Sequence, residues 1–162
     1  MKPIKTLLTI LFISLLSSPS WSVTLDDLVK RDDLYYEKFT DVPFTGKVTG
    51  EEQGSFKNGV KDAAWIGYWS NGQLYYKGNY KHGVPEGAWV YYYENGQLDF
   101  KVGMKDGMSE GTRVSYYENG QLKSKGGYKN HLMEGAWVEY NSDGTVNKTW
   151  TGTFKDGEKI SD

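Results

Sequence analysis

Asn95-Gly96-Gln97-Leu98 is the middle copy of a phrase that returns along this chain at a constant interval. The same four residues begin at Asn71 and at Asn119, and a degenerate copy begins at Asp143. Successive copies begin 24 residues apart. A fixed period between about 20 and 50 residues is typical of stacked supersecondary units, none of which can bury its apolar face alone. The sequence therefore predicts a repeat protein.

Within one period, the residues indicate a strand, a tight turn, a second strand and a looser turn that contains glycine. Trp89 and Tyr92 precede the Asn-Gly turn, and Phe100 and Met104 follow it. Asn-Gly between two runs of strand-forming residues is the strongest short signal for a β-hairpin. We predict an all-β fold, an elongated single-layer antiparallel sheet of tandem β-hairpin repeats with a 24-residue period.

The residues that share a face of this sheet depend on the length of the Asn-Gly loop. We favour a two-residue loop, because a type I′ turn suits Asn-Gly. One face then carries Trp65, Trp69, Leu74, Tyr76, Gly78 and Tyr80, and the other carries Ile66, Tyr68 and Lys77. A three-residue loop would instead bring together Ile66, Tyr68, Leu74, Tyr76 and Tyr80.

The amino terminus has the layout of a secretory signal peptide. Lys2 and Lys5 precede an apolar run over residues 7–16, and small residues stand at Ser20 and Ser22. The run is shorter than the ~20 residues that span a bilayer, which favours a cleaved leader over an uncleaved anchor. We predict a signal peptide over residues 1–22, an amino-terminal cap with a partial repeat over residues 23–45, and the repeat array over residues 46–162. The protein is then periplasmic or secreted.

Composition argues against several kinds of chemistry. The chain has no cysteine, which excludes disulfides, thiolate ligands and a cysteine nucleophile. His82 and His131 fall in loops and lack the spacing of a catalytic triad or a zinc site. Glu86, Glu110 and Glu134 recur at the repeat interval, and we interpret them as solvated turn residues. The net charge of −2 argues against binding to nucleic acid. We predict no enzyme activity, no cofactor and no metal site.

One set of lysines and one set of tyrosines follow the repeat on the same predicted face. Equivalent positions in adjacent hairpins lie two strands, or about 9.6 Å, apart, so these side chains form a regular grid. Such a grid suits protein or glycan binding, although exposed lysines also keep sheets soluble. The candidate binding surface consists of Tyr68, Tyr92, Tyr116, Tyr140, Lys77, Lys101 and Lys125.

The repeated phrases resemble the MORN (membrane occupation and recognition nexus) repeat. They are most similar to its bacterial variant, which occurs in exported proteins and in proteins described as antitoxins. The matching phrases are Tyr92-Tyr93-Glu94-Asn95-Gly96-Gln97-Leu98, Tyr80-Lys81-His82-Gly83 with Glu86-Gly87-Ala88-Trp89, and Pro43-Phe44-Thr45-Gly46-Lys47-Val48. The resemblance covers about residues 34–157. It implies a sheet of successive hairpins without catalytic residues, in a family that binds proteins, acts as a scaffold and in some members associates with membranes.

We therefore expect an exported, non-enzymatic module that binds or scaffolds a protein partner. One alternative is an antitoxin or immunity protein that binds and neutralises a toxin. Another is association with an anionic membrane surface through the lysines.

Overall fold

The structure, a computed structural model, describes residues 22–162. The predicted signal peptide over residues 1–22 lies outside the described residues, apart from Ser22. A 3₁₀ turn at Leu25–Asp27 precedes the first strand. Strands β1 (Leu28–Arg31) and β2 (Leu34–Glu37) form a hairpin of their own, and the later strands form one antiparallel sheet.

The strands of the long sheet are neighbours in the order in which they occur in the chain. They are β3 (Gly46–Val48), β4 (Glu52–Lys57), β5 (Val60–Tyr68), β6 (Leu74–Lys81), β7 (Val84–Tyr92), β8 (Leu98–Lys105), β9 (Met108–Ser109), β10 (Gly111–Tyr116), β11 (Leu122–Lys129), β12 (Leu132–Glu139), β13 (Gly152–Lys155) and β14 (Glu158–Ser161). The short β9 and then β10 both pair with β8. The predicted all-β fold of tandem hairpins is confirmed.

The Asn-Gly turns are three-residue loops, so the prediction of a two-residue loop is wrong. The Trp69 N–H donates to the Gln73 carbonyl and the Gly72 N–H donates to the Trp69 carbonyl, both at 2.8 Å. Gly72 has a φ of 82°, whereas Asn71 keeps a negative φ, and a type I′ turn needs positive φ at both. The loop is a type I turn followed by a glycine in the left-handed region, the usual three-residue hairpin connection.

A bulge compensates for the longer loop. Gly67 pairs with Tyr76, but Tyr68 pairs with Leu74, so Tyr75 is an extra residue on β6. The third loop residue shifts the pairing of the two strands by one residue, which would exchange their faces. The bulge shifts the pairing by one residue in the opposite direction. The pairing of β5 with β6 therefore returns to the register that the shorter loop predicted.

The two faces of the sheet consequently follow the favoured grouping, with one exception. Leu74 shares a face with Tyr68, because the two are paired. One face, here called the indole face, carries Trp65, Tyr76, Gly78 and Tyr80. The opposite face, here called the lysine face, carries Ile66, Tyr68 and Lys77.

The indole face buries its aromatic rings against its own backbone. Trp65 is 0% exposed and Trp89 is 3% exposed. A Cβ atom added to Gly78 would lie 2.3 Å from ring atoms of Trp89, and one added to Gly54 would lie 2.3 Å from those of Trp65. Tyr80 fills the space between the two indoles, with its ring edge-on to both. The glycines thus allow each indole to lie directly on the neighbouring strand.

Side chains join each repeat to the next at the edge that carries the Asn-Gly turns. The Asn71 Nδ2 donates to the Glu94 carbonyl oxygen at 2.9 Å, and Asn95 makes the same contact with Glu118 at 3.0 Å. Each asparagine Oδ1 also accepts the N–H two residues ahead of it. The fourth copy has Asp143, which keeps this acceptor but has no N–H to donate. The asparagine therefore connects repeats in addition to shaping its own turn.

The recurring glutamates join the repeats at the opposite edge. Each carboxylate accepts a backbone N–H from the loop of the following repeat. The pairs are Glu86 with Asp106, Glu110 with Asn130 and Glu134 with Asp156, at 3.1, 3.2 and 3.1 Å. The interpretation of these glutamates as merely solvated turn residues is therefore wrong, because their recurrence has a structural cause.

We expect Asn95→Asp to lower the free energy of unfolding by about 1 kcal/mol, because it removes the donor to the next repeat and keeps the acceptor within the turn. Urea unfolding followed by circular dichroism measures this change. Asn119→Asp is the matched control, since within residues 22–162 Asn119 makes only the contact inside its own turn. Equal losses in the two variants would contradict the connecting role of Asn95.

Candidate functional site

The lysines of the predicted surface lie in a single row across the lysine face. Lys77 pairs with Ile66 and Val90, and Lys101 pairs with Val90 and Val114. Lys125 continues the pattern by pairing with Val114 on β10 and with a valine on β12. The whole row reads Ile66, Lys77, Val90, Lys101, Val114, Lys125 and Val138. Apolar and cationic side chains therefore alternate from β5 to β12.

The predicted tyrosines form a second row beside the first. Tyr68, Tyr92 and Tyr116 each pair with the leucine that follows the Asn-Gly turn, and Tyr140 bridges to Val146. The tyrosines are half-buried, whereas the three lysines are exposed. The Lys77 Nζ lies 6.0 Å from the centre of the Tyr92 ring. The structure thus places all seven residues on one face, as the sequence predicted; whether they bind a partner stays a prediction.

The lysines of this row are free to meet charge from outside the chain. Among residues 22–162, the ion pairs of the structure join other residues and involve none of Lys77, Lys101 and Lys125. An exposed ammonium group without an internal partner keeps its charge available to an anionic surface.

Two shallow depressions open beside the lysine row. One has a volume of about 280 Å³ and is lined by Ala64, Ile66, Ala88 and Val90, among others. The other has a volume of about 330 Å³ and lies in the corresponding place two repeats later in the chain, where its lining includes Thr112, Ala136 and Val138. Two repeats are four strands, so the depressions lie about 19 Å apart. Small side chains beside the row, such as Ala88 and Ala136, leave the depressions open.

The indole face changes character in the third repeat. Arg113 stands where the neighbouring repeats have tryptophan, and Val102 stands where Gly54 and Gly78 allow an indole to approach. These two departures belong together, because each indole lies on the glycine 11 residues before it. A tryptophan at position 113 would meet the isopropyl group of Val102.

Two buried hydroxyl groups extend this polar interruption. Ser115 and Ser124 occupy the positions that Tyr91 and Phe100 hold one repeat earlier. They are 2% and 3% exposed, and their oxygens lie 2.6 Å apart. The continuous cluster of buried apolar residues, which begins at the amino-terminal cap, ends at Val102. The aromatic packing of the indole face is therefore replaced by polar groups at this point.

A pocket of about 380 Å³ opens at the interruption. Its lining includes the charged residues Asp99, Arg113, Lys123 and Glu139, the hydroxyls of Ser115 and Ser124, and the rings of Tyr128, Trp137 and Trp150. The guanidinium carbon of Arg113 lies 4.6 Å from the centre of the Phe100 ring. The pocket thus combines two cations and two carboxylates with aromatic walls.

Comparison with known families agrees with this architecture. The MORN repeat variant family matches residues 61–82, 85–106 and 109–130. The chain is a MORN repeat protein. No curated protein matches the chain significantly. The repeats explain the tandem hairpins, and MORN repeats indicate a protein that binds another protein or a membrane. Strands β12 to β14 lie beyond the matched residues, so the pocket joins the last matched repeat to the carboxy-terminal hairpins.

The hydroxyl of Tyr93 neighbours Asp99, which lines the pocket, and acts as a hydrogen-bond donor. Burial raises the pKa of Tyr93 to about 12, and the neighbouring Asp99 carboxylate adds to the shift. The hydroxyl is therefore protonated at neutral pH and donates to the Tyr116 carbonyl at 2.8 Å. This bond fixes the Tyr93 ring across the turn of the following repeat.

Over residues 22–162, no group of three potential ligands could hold a metal ion. In the same part of the chain, no helix has the length and apolar character needed to cross a bilayer.

The sequence-based prediction named no residue of the pocket. The repeats nevertheless indicate its position when they are aligned. Arg113 replaces the tryptophan of the other repeats, and Val102 replaces the glycine on which that tryptophan lies. The paired exceptions at Arg113 and Val102 therefore mark the interruption in the sequence itself.

We expect Arg113→Trp alone to lower the free energy of unfolding by about 1–3 kcal/mol, because the new indole has to lie on Val102. Adding Val102→Gly should recover most of this loss and give a favourable coupling energy in a double-mutant cycle. Urea unfolding of the two single variants and the double variant measures the coupling. Strictly additive effects would show that the two positions are not packed as described.

Proposed function

We propose that this MORN repeat protein is a non-enzymatic binding module that docks a protein partner on its lysine face. The observation that carries the proposal is the row from Ile66 to Val138, in which apolar and cationic side chains alternate over successive strands. Apolar contact area and correctly placed charges together are what a specific protein interface requires.

The charge of the row selects an acidic partner. Lys77, Lys101 and Lys125 lie about 9.6 Å apart and point to the same side of the sheet. Carboxylates on the partner at a similar spacing would orient it along the row and raise the rate of association. The half-buried rings of Tyr92 and Tyr116 supply rigid apolar area beside the charges.

The two depressions indicate where the partner places apolar side chains. They lie in equivalent positions two repeats apart, beside the small residues Ala88 and Ala136. An apolar side chain in each would be buried at the centre of the interface, where most of the binding energy of protein complexes resides. The partner therefore presents two apolar side chains about 19 Å apart, with acidic groups between them.

This proposal includes the compartment and a more specific role. Residues 1–22 have the layout of a signal peptide, which supports action outside the cytoplasm, in the periplasm or beyond it. A tight complex with one toxin would make the chain an antitoxin or immunity protein, and a complex with an envelope component would make it a scaffold. Both roles use the same face.

Site-specific photocrosslinking in the source cells identifies the partner and the face at once. A crosslinker replaces Lys101 on the lysine face or, for comparison, Phe39, which is fully exposed in the amino-terminal region. The proposal expects one protein joined to position 101 and absent at position 39. The identity of that protein distinguishes a toxin from an envelope component. Crosslinks to lipid, or to no protein, at position 101 would overturn docking of a protein on this face.

With the partner in hand, we expect the triple variant Lys77→Glu, Lys101→Glu and Lys125→Glu to weaken binding by about tenfold or more, because it places like charges opposite the partner's acids. Calorimetric titration measures the change. The matched control reverses the same number of charges at the strand ends, at Lys81, Lys105 and Lys129. Equal weakening in both variants would mean that net charge, and not the row, attracts the partner.

A further inference from the structure

The polar interruption of the indole face is concentrated at one place and is not a solubilising feature. Ser115 and Ser124 are almost completely buried, so their hydroxyls do not serve solvation. Arg113 takes the position of a buried indole, and the loss of that indole forfeits apolar burial and ring contacts that the earlier repeats retain. Replacement of apolar core residues by polar ones at a single place is typical of a functional site.

The hydrogen-bonding capacity of these groups is largely unused. Two serine hydroxyls share one hydrogen between their oxygens, which leaves one O–H free to donate. Within residues 22–162, the Arg113 side chain forms neither an ion pair nor a hydrogen bond, although its guanidinium group has five N–H donors. These donors lie above the Phe100 ring at the pocket, ready for an acceptor from outside the chain.

The balance of charge in the pocket favours a neutral ligand over an ion. Arg113 and Lys123 contribute two positive charges, and Asp99 and Glu139 contribute two negative charges. A simple anion or cation would meet a group of its own sign at close range. A ligand whose hydroxyl groups both donate and accept would satisfy cations and carboxylates together.

The aromatic residues of the pocket provide a surface on which a ligand ring can stack. Trp150 is 51% exposed and lines the pocket together with Trp137 and Tyr128. A flat indole face packs well against the C–H groups of a sugar ring, and an exposed ring on a loop can accept one without moving the sheet. The volume of about 380 Å³ lies within the ~300–1,000 Å³ that ligand sites commonly occupy.

We propose that the pocket formed by Arg113, Ser115, Ser124, Glu139 and Trp150 binds a neutral saccharide. The sugar ring stacks on Trp150, its hydroxyls accept hydrogen bonds from Arg113 and the free serine O–H, and they donate to Glu139. This site lies on the face opposite the lysine row, so it operates independently of the protein partner and its test does not depend on that partner.

The test is calorimetric titration of the full chain with maltose, cellobiose and N,N′-diacetylchitobiose, each to about 20 mM, a range suited to weak ligands. Sodium acetate and glycine at the same concentrations are the ionic and zwitterionic controls. The proposal expects saturable binding of at least one disaccharide and none of acetate or glycine. No saturable binding of any disaccharide, or binding of acetate or glycine in their place, would overturn it.

Two variants locate the binding in the pocket. Trp150→Ala removes the stacking surface from an exposed loop position, and Glu139→Gln keeps the size of the side chain but removes its charge. Each should weaken disaccharide binding by about tenfold or more. Phe39→Ala, which removes an exposed ring far along the chain from the pocket, should leave binding unchanged. Circular dichroism confirms that each variant is folded. Binding that survives both pocket variants would also overturn the proposal.

Discussion

An indole ring that lies directly on the glycine of a neighbouring strand is the contact on which this sheet depends. A single-layer sheet has no opposing layer to bury its apolar side chains, so it has to bury them on its own backbone. Trp65 on Gly54, Trp89 on Gly78 and Trp137 on Gly126 repeat this contact at a spacing of 11 residues. Each contact crosses from one repeat to the one before it, and therefore packing and cohesion between repeats arise from the same residues.

This constraint gives the two faces of the sheet different roles. The indole face is used for packing over the first repeats, where Trp89 stacks with both Tyr76 and Tyr91. The lysine face needs no such packing, and it keeps exposed lysines between apolar residues that are buried or half-buried. The polar pocket appears where the indole contact is given up, at Arg113 and Val102. Both proposed sites therefore follow from where the indole packing is present and where it is absent.

The sequence predicted much of this fold because the repeat itself carries the information. The period of 24 residues established tandem hairpins, and alternation along each strand placed Tyr92 and Lys101 on one face. The predicted loop length was wrong because Asn-Gly also fits a type I turn that ends with a left-handed glycine. The same three-residue loop forms at Asn119, which within residues 22–162 makes no hydrogen bond to the next repeat, so the loop does not depend on that contact. The bulge at Tyr75 then corrected the register, so an incorrect turn still gave largely correct faces.

The pocket was less accessible to sequence reasoning, because its residues are exceptions to the repeat. Ser115 and Ser124 are unremarkable in isolation and gain meaning only when the structure brings their hydroxyls together. Trp150 lies in the segment between β12 and β13, where the fourth copy departs from the common spacing. The consensus of the repeat carries no information about residues that depart from it.

The most direct test of the indole contact is the effect of Gly78→Ala on the free energy of unfolding. Gly78 does not have a positive φ, so an alanine there would ordinarily stabilise the chain by about 0.4–1 kcal/mol through the unfolded state. Because the added Cβ would meet the Trp89 ring at 2.3 Å, we expect a loss of about 1–3 kcal/mol instead. In a Trp89→Ala background the loss should disappear. Stabilisation by Gly78→Ala in the otherwise unchanged chain would contradict the central role of this contact.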